Sequence, residues 1–151
     1  MKDVIWKNPW SDRFLFLENY IPKNVSIIDF GCGNKQILDY CFPTRYLGID
    51  LCEEADLKID LNNEFSIDDK YDLGLMLGLL EHVHDSEFTL KNCLKYADKF
   101  LILTSSAKMK AEWHNSFNEQ FIKKLLEKHF NKVQCFKHHR YIVSLAEEKK
   151  Q

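Results

Sequence analysis

No run of apolar residues in this sequence approaches the roughly 18–20 that a membrane-crossing helix needs, and no two of its cysteines form a C-x-x-C pair. The first absence removes a membrane-spanning helix from the expected architecture. The opening stretch, MKDVIWKNPWSDRF, carries charges and a proline where a secretory leader needs an apolar core, so a cytoplasmic location is expected. The cysteines, Cys32, Cys41, Cys52, Cys93 and Cys135, are odd in number and widely spaced. Such spacing suggests neither a zinc site nor a disulfide framework. They are read as small buried hydrophobes, and no metal is expected. Glycine is also scarce, with none between Gly33 and Gly48. A Walker-type loop, G-x-x-x-x-G-K-[ST], is thereby excluded. A dinucleotide fingerprint, G-x-G-x-x-G, fails as well, because Gln36 stands where its third glycine belongs.

What is present fits one globular domain over residues 1–151: 45% hydrophobic content, a net charge of -2, and no internal repeat, low-complexity tract or linker. Acids dominate between Asp50 and Asp72, and bases dominate between Lys123 and Arg140. The two regions read as differently solvated faces. The basic one lacks the interleaved aromatics of a nucleic-acid surface, so nucleic acid is not an expected partner.

Apolar runs alternate with helical patterns. Ser26–Phe30 (SIIDF), Arg45–Asp50 (RYLGID), residues 56–60, Tyr71–Leu77 (YDLGLML) and residues 100–104 (FLILT) read as strands. Residues 35–42 fit two helical turns stopped by Pro43, and residues 86–97 and 118–130 fit helices, the last with Asn118 as its N-cap. Residues 132–137 and 140–146 are separated only by His138 and His139, which requires an antiparallel hairpin. The expected architecture is α/β: a mostly parallel, doubly wound sheet with a C-terminal antiparallel hairpin. Leu51 to Ala55 is too short for a crossover helix, so the second and third strands are expected to join without one. Residues 1–24, with Phe14, Leu17 and Tyr20 at helical spacing, are expected to form a helical cap on a core of residues 25–146.

The stretch VSIIDFGCGNK places an acid, Asp29, at a strand end, followed by Gly31-Cys32-Gly33. It resembles motif I of the class I S-adenosylmethionine-dependent methyltransferases. Further residues carry the same resemblance. Asp50 ends the second strand nineteen residues after Gly31, Asp60 and Leu61 follow the third, and Leu80-Glu81-His82-Val83 follows the fourth. The resemblance implies S-adenosyl-L-methionine as cofactor, held by Asp29, Gly31, Cys32, Gly33, Lys35, Asp50, Leu51, Asp60, Leu61 and Leu77. In it Asp50 would take the ribose diol and Asp60 the adenine amine. His82 and His84 are the candidate general bases, and His114 lies where the family shapes its acceptor pocket.

Lys35 departs from the family's third motif I glycine. It is either a solvent-facing residue or a cation reaching an anionic part of a ligand. No [DN]-P-P-[YF] tetrapeptide follows the fourth strand, where LGLL stands instead, which argues against amide and exocyclic base nitrogens as acceptors. The resemblance thus implies a small-molecule methyltransferase, with O-methylation of a sugar or related metabolite as the leading expectation. A catalytically silent S-adenosylmethionine-binding or partner-binding domain, or a nucleic-acid methyltransferase, remain as alternatives.

Overall fold

The structure, a computed structural model, describes residues 12–106 and 115–151. Seven strands form one sheet: β1 (Ser26–Phe30), β2 (Arg45–Asp50), β3 (Leu57–Lys58), β4 (Tyr71–Leu77), β5 (Ala97–Ser105), β6 (Phe130–His138) and β7 (Tyr141–Lys149). Their order is β3-β2-β1-β4-β5-β7-β6. The first five are parallel, and β7 runs antiparallel to both β5 and β6. This is the expected α/β sheet with its terminal hairpin. The helices are α1 (Asp12–Leu15), α2 (Ser86–Cys93) and α3 (Glu119–Glu127). None among the described residues is long and apolar enough to cross a membrane.

The central strands are apolar on both faces because both are covered. Every residue of β1 is buried. On one face Phe30, Met76, Phe100 and Ile102 pack with Leu90 of α2 and Ile122, Leu125 and Leu126 of α3. On the other, Ile27, Leu73, Leu75, Leu77 and Val143 meet Phe14 and Leu17 from the N-terminal segment. That segment continues from α1 as a 3-10 turn (Phe16–Tyr20) and lies on the sheet, where Phe16 stacks on His138 and Tyr20 tilts against Phe136. Residues 1–11 of the expected cap lie outside the described residues.

Element ends moved for local reasons. The helix over residues 86–97 is α only to Cys93, then a 3-10 turn (Leu94–Tyr96) that releases the chain into β5. Asn118 caps α3 as expected, its Oδ1 accepting from the Phe121 N–H at 2.8 Å. The hairpin strands run longer than their apolar cores, and the turn falls on His139 and Arg140, with His139 at φ 54°. The expected two helical turns over 35–42 are a single 3-10 turn (Gln36–Asp39), because Lys35 before it has left-handed backbone and Pro43 follows closely. β2 and β3 join without a helix, as expected, but β3 is only Leu57–Lys58.

Gly74 on β4 is fixed by its neighbour. A β-carbon there would collide with the Phe100 ring, which stacks on Phe30 and tilts against Phe130 and is 1% exposed. Overpacking a site that cannot yield costs about 1–3 kcal/mol. Gly74→Ala is therefore expected to lower the urea midpoint by that equivalent with an unchanged m-value, and an unaltered midpoint would contradict this packing.

Candidate active site

The strand order reverses between β1 and β4, since β1 is followed outward by β2 and β4 by β5. The crevice above such a point, at the carboxyl ends of the strands, is where open α/β sheets take ligands. Two cavities lie there, on either side of one residue, Gly31. The larger, about 270 Å³, is lined by Asp50 and Leu51 after β2, by Ile59 to Asn62 after β3, and by Gly78, Leu79, His82 and Val83 after β4. The smaller, about 50 Å³, is enclosed by Asp29, Cys32, Gly33, Asn34, Gln36 and Ile37, with Leu77 and Phe14 as walls. Gly31 borders both. It has φ +79°, and a β-carbon on it would stand 3.0 Å from Leu79 Cδ1, so only glycine takes this backbone without pressing on Leu79.

Backbone donors hold the turn after β1 against the end of β2. The Gly31 and Cys32 N–H groups both donate to the Ile49 carbonyl, at 2.7 and 3.1 Å. The Gly33 N–H donates to Asp50 Oδ2 at 2.9 Å, and the Leu51 N–H donates to Oδ1 at 2.7 Å. Asp50 thus orders the turn and borders the larger cavity at once. Asp60 accepts through Oδ1 from the Asn62 backbone and side-chain nitrogens at 2.9 and 3.1 Å. Asn62 in turn accepts from the His84 N–H at 2.8 Å, tying the loop after β3 to the loop after β4. Asp29 is 2% exposed; its Oδ2 accepts from the Tyr46 hydroxyl at 2.7 Å. Burial, and then the charge of Asp29, push the Tyr46 phenol well above its ordinary value, so it stays a donor. Burial, together with Asp29 and Asp50, pushes the Cys32 thiol up to about 12, which leaves it protonated at neutral pH.

The residues expected from the sequence divide between the two cavities. Asp29, Cys32, Gly33 and Leu77 line the smaller one, and Asp50, Leu51, Asp60 and Leu61 the larger. His82 lines the larger cavity, whereas His84 lines neither. His114 lies outside the described residues. Lys35 borders neither cavity, and its Nζ donates to Asp56 Oδ1 at 2.6 Å. Neither reading of Lys35 from the sequence included this partner. Asp56 Oδ2 also accepts from the Gly48 N–H on β2 at 2.8 Å. Sequence reasoning missed Phe14, Asn34, Gln36, Tyr46, Asp56 and Asn62. Only Asn62, directly behind the Asp60-Leu61 pair, carried a signal that could have been found.

Lys35 also has φ 62°, which is where the third glycine of the family pattern would be at ease. The lysine bears that backbone cost, and its ion pair with Asp56 offsets part of it. Burial works to raise the Asp56 carboxyl, but the hydrogen bonds from Lys35 and Gly48 outweigh it and hold the group below its ordinary 3.8. The hydrogen bond to Asp56 holds Lys35 above 10.5. The pair therefore stabilises the fold at neutral pH. Its contribution is lost as pH falls through the depressed Asp56 value, and again as pH rises through the raised Lys35 value. An exposed pair of this kind is worth about 0.2–1 kcal/mol, and left-handed backbone costs a β-carbon residue about 1–2 kcal/mol. Lys35→Ala is thus expected to be destabilised by the former amount, while Lys35→Gly stays near neutral or gains. Chemical denaturation at pH 7 checks this, and equal losses in both variants would contradict the compensation.

A family model described as a methyltransferase domain matches residues 6–141. No curated protein sequence matches the chain. Among solved structures, a Thermotoga maritima S-adenosylmethionine-dependent methyltransferase, described as a possible histamine N-methyltransferase, aligns at TM-score 0.70 and 16% identity over 93% of this chain and 89% of its own. The N-terminal domain of EvdMO1 with S-adenosylhomocysteine bound aligns at TM-score 0.67 and 16% identity, covering 91% of this chain and 80% of that one. The same domain in the presence of S-adenosylhomocysteine and D-fucose aligns at 0.65 and 15%, over 91% and 82%. A Burkholderia thailandensis 1,6-didemethyltoxoflavin-N1-methyltransferase, bound to 1,6-didemethyltoxoflavin and S-adenosylhomocysteine, aligns at 0.66 and 14%, over 97% and 82%. At these identities the likeness is one of fold. The chain belongs to the methyltransferase-domain family, and its fold is that of the class I S-adenosylmethionine-dependent methyltransferases.

Proposed function

We propose that S-adenosylmethionine lies across Gly31, with its adenosine in the 270 Å³ cavity and its methionine end toward Phe14, and that its methyl group passes to a hydroxyl of a small molecule. The observation that carries this reading is the pair of cavities meeting at one glycine, which suits a ligand with two unlike ends joined at a sulfonium. Asp50 accepts the ribose hydroxyls, and Leu51, 64% exposed with its side chain unsupported by the core, covers the adenine. Asp60 takes the exocyclic amine, and Asp29, steadied by Tyr46, faces the ammonium end. Lys35 acts through the turn rather than on the ligand.

The reaction is an in-line displacement: the acceptor oxygen forms its bond to the methyl carbon as the sulfur–carbon bond breaks, leaving S-adenosylhomocysteine. Holding the two reactants in line can remove roughly 7–11 kcal/mol from the barrier. His82 is the stronger candidate for taking the hydroxyl proton, because it borders the cavity while His84 does not. A sugar or similar hydroxyl compound is the proposed acceptor. It is supported by the absence of a D-P-P-Y-type motif after β4 and by the D-fucose present with the similar EvdMO1 domain. Against nucleic acid, several bases of the 123–140 region are paired: Lys123 with Glu127, Lys128 with Glu87, and Lys132 with Glu147.

Calorimetry with S-adenosylmethionine and S-adenosylhomocysteine tests the binding half. Both are expected to bind one per chain, and Asp50→Ala to weaken binding at least about tenfold, since each hydrogen bond lost from a charged group is worth roughly 1.5–3 kcal/mol. Absence of binding by either ligand would overturn the reading. For the chemical half, a transfer screen across sugars, nucleotides and phenols is followed by His82→Ala. The variant is expected still to bind cofactor and to lose about 10²–10⁴-fold in kcat. Normal turnover would remove His82 as the base.

A further inference from the structure

We propose that Cys32, Asp50 and Cys52 form a site for one thiophilic divalent cation of the zinc or cadmium class, beside the turn after β1. One ligand atom from each, two Sγ and a carboxylate oxygen, all lie within 4.8 Å of one another. A tetrahedral zinc with sulfur at about 2.3 Å needs ligand separations of roughly 3.3–3.8 Å, so shifts of about 1 Å close the set. The two thiols already converge on one point. Cys52 Sγ donates to the Gly33 carbonyl at 3.2 Å, and Cys32 Sγ donates to the same oxygen at 3.5 Å. Each Asp50 oxygen accepts one backbone N–H, and a carboxylate has about four acceptor positions, so lone pairs remain for a metal.

The short link after β2 creates this cluster. With no crossover helix to carry it away, Cys52 stays two residues beyond Asp50 and folds back against Gly33. Three protein ligands with a fourth position for water is the pattern of an open zinc site. On binding, each thiol releases its proton to solvent as a sulfur–metal bond forms, and the cation keeps its oxidation state. Asp50 also borders the proposed adenosine cavity, so cation and cofactor compete for it. The competition rests on the cofactor reading, whereas metal binding by itself does not.

The test titrates cadmium, then zinc, into the full chain kept reduced with a phosphine. The expected result is one cadmium per chain with thiolate-to-cadmium absorbance in the ultraviolet. Cys52→Ser and Cys32→Ser should each weaken binding at least about tenfold, and Cys135→Ser should leave it unchanged. Thermal melting of Cys52→Ser, at a half-buried position, verifies that the loss is not unfolding. No stoichiometric binding, or binding that survives Cys52→Ser, would overturn the site. A saturating amount of S-adenosylhomocysteine should weaken cadmium binding at least about tenfold. If that ligand binds and cadmium affinity is unmoved, Asp50 is not a ligand and the proposal fails. If it does not bind while cadmium does, the metal site stands and the cofactor reading fails.

Discussion

The turn after β1 is fastened to the end of β2 by backbone donors before any ligand is considered. Gly31 and Cys32 give their N–H groups to the Ile49 carbonyl, and Gly33 gives its own to Asp50. Both cavities depend on these bonds, because the turn is the ridge between them. The bonds depend in turn on β1 and β2 lying parallel in register, with Phe30 opposite Ile49. Every residue of β1 is buried, whereas only Gly48 and Ile49 of β2 are, so burial of β1 fixes that register, and a slip would misplace its side chains. Core packing and ligand geometry are in this sense one constraint: the apolar residues of β1 set where Gly31 stands.

What could be read from the sequence follows the same division. Continuous apolar strands, the sheet type, the hairpin and the missing crossover helix were legible, because burial writes itself into composition residue by residue. The glycines and the acids at strand ends were legible because their order along the chain mirrors their order across the sheet. Contacts between distant side chains were not. Nothing periodic links Lys35 to Asp56, Tyr46 to Asp29 or Cys32 to Cys52. Phe14 was read by its spacing as part of a helical cap, and it both joins the buried cluster on that face and walls a cavity.

The shortness of β3 has a cause that composition hides. Residues 56–60 look like a strand bounded by acids, but both acids take backbone hydrogens elsewhere. Asp56 accepts from Gly48, and Asp60 from Asn62. Short carboxylate side chains compete with the ladder for backbone donors; Leu57 and Lys58 pair as strand, and the Asp56 and Ile59 N–H groups still donate to the Gly48 and Asp50 carbonyls.

The acidic stretch between Asp50 and Asp72 therefore has a role that a charge count misses. It reads as a solvated face, yet Asp50, Asp56, Asp60 and Asp72 each accept at least one backbone N–H, from Gly33 and Leu51, Gly48, Asn62 and Ser26 respectively. In a doubly wound sheet a crossover helix normally packs on the strands it joins. This chain omits that helix between β2 and β3, and side-chain carboxylates fasten the same strands to the loops around them. A carboxylate can do so only where donors converge, which is at strand ends and in turns. Of these carboxylates Asp50 and Asp60 also border the crevice. Shortening the scaffold at this edge concentrated negative charge, backbone order and two thiols around one turn, and the chemistry available to the site follows from that economy of chain.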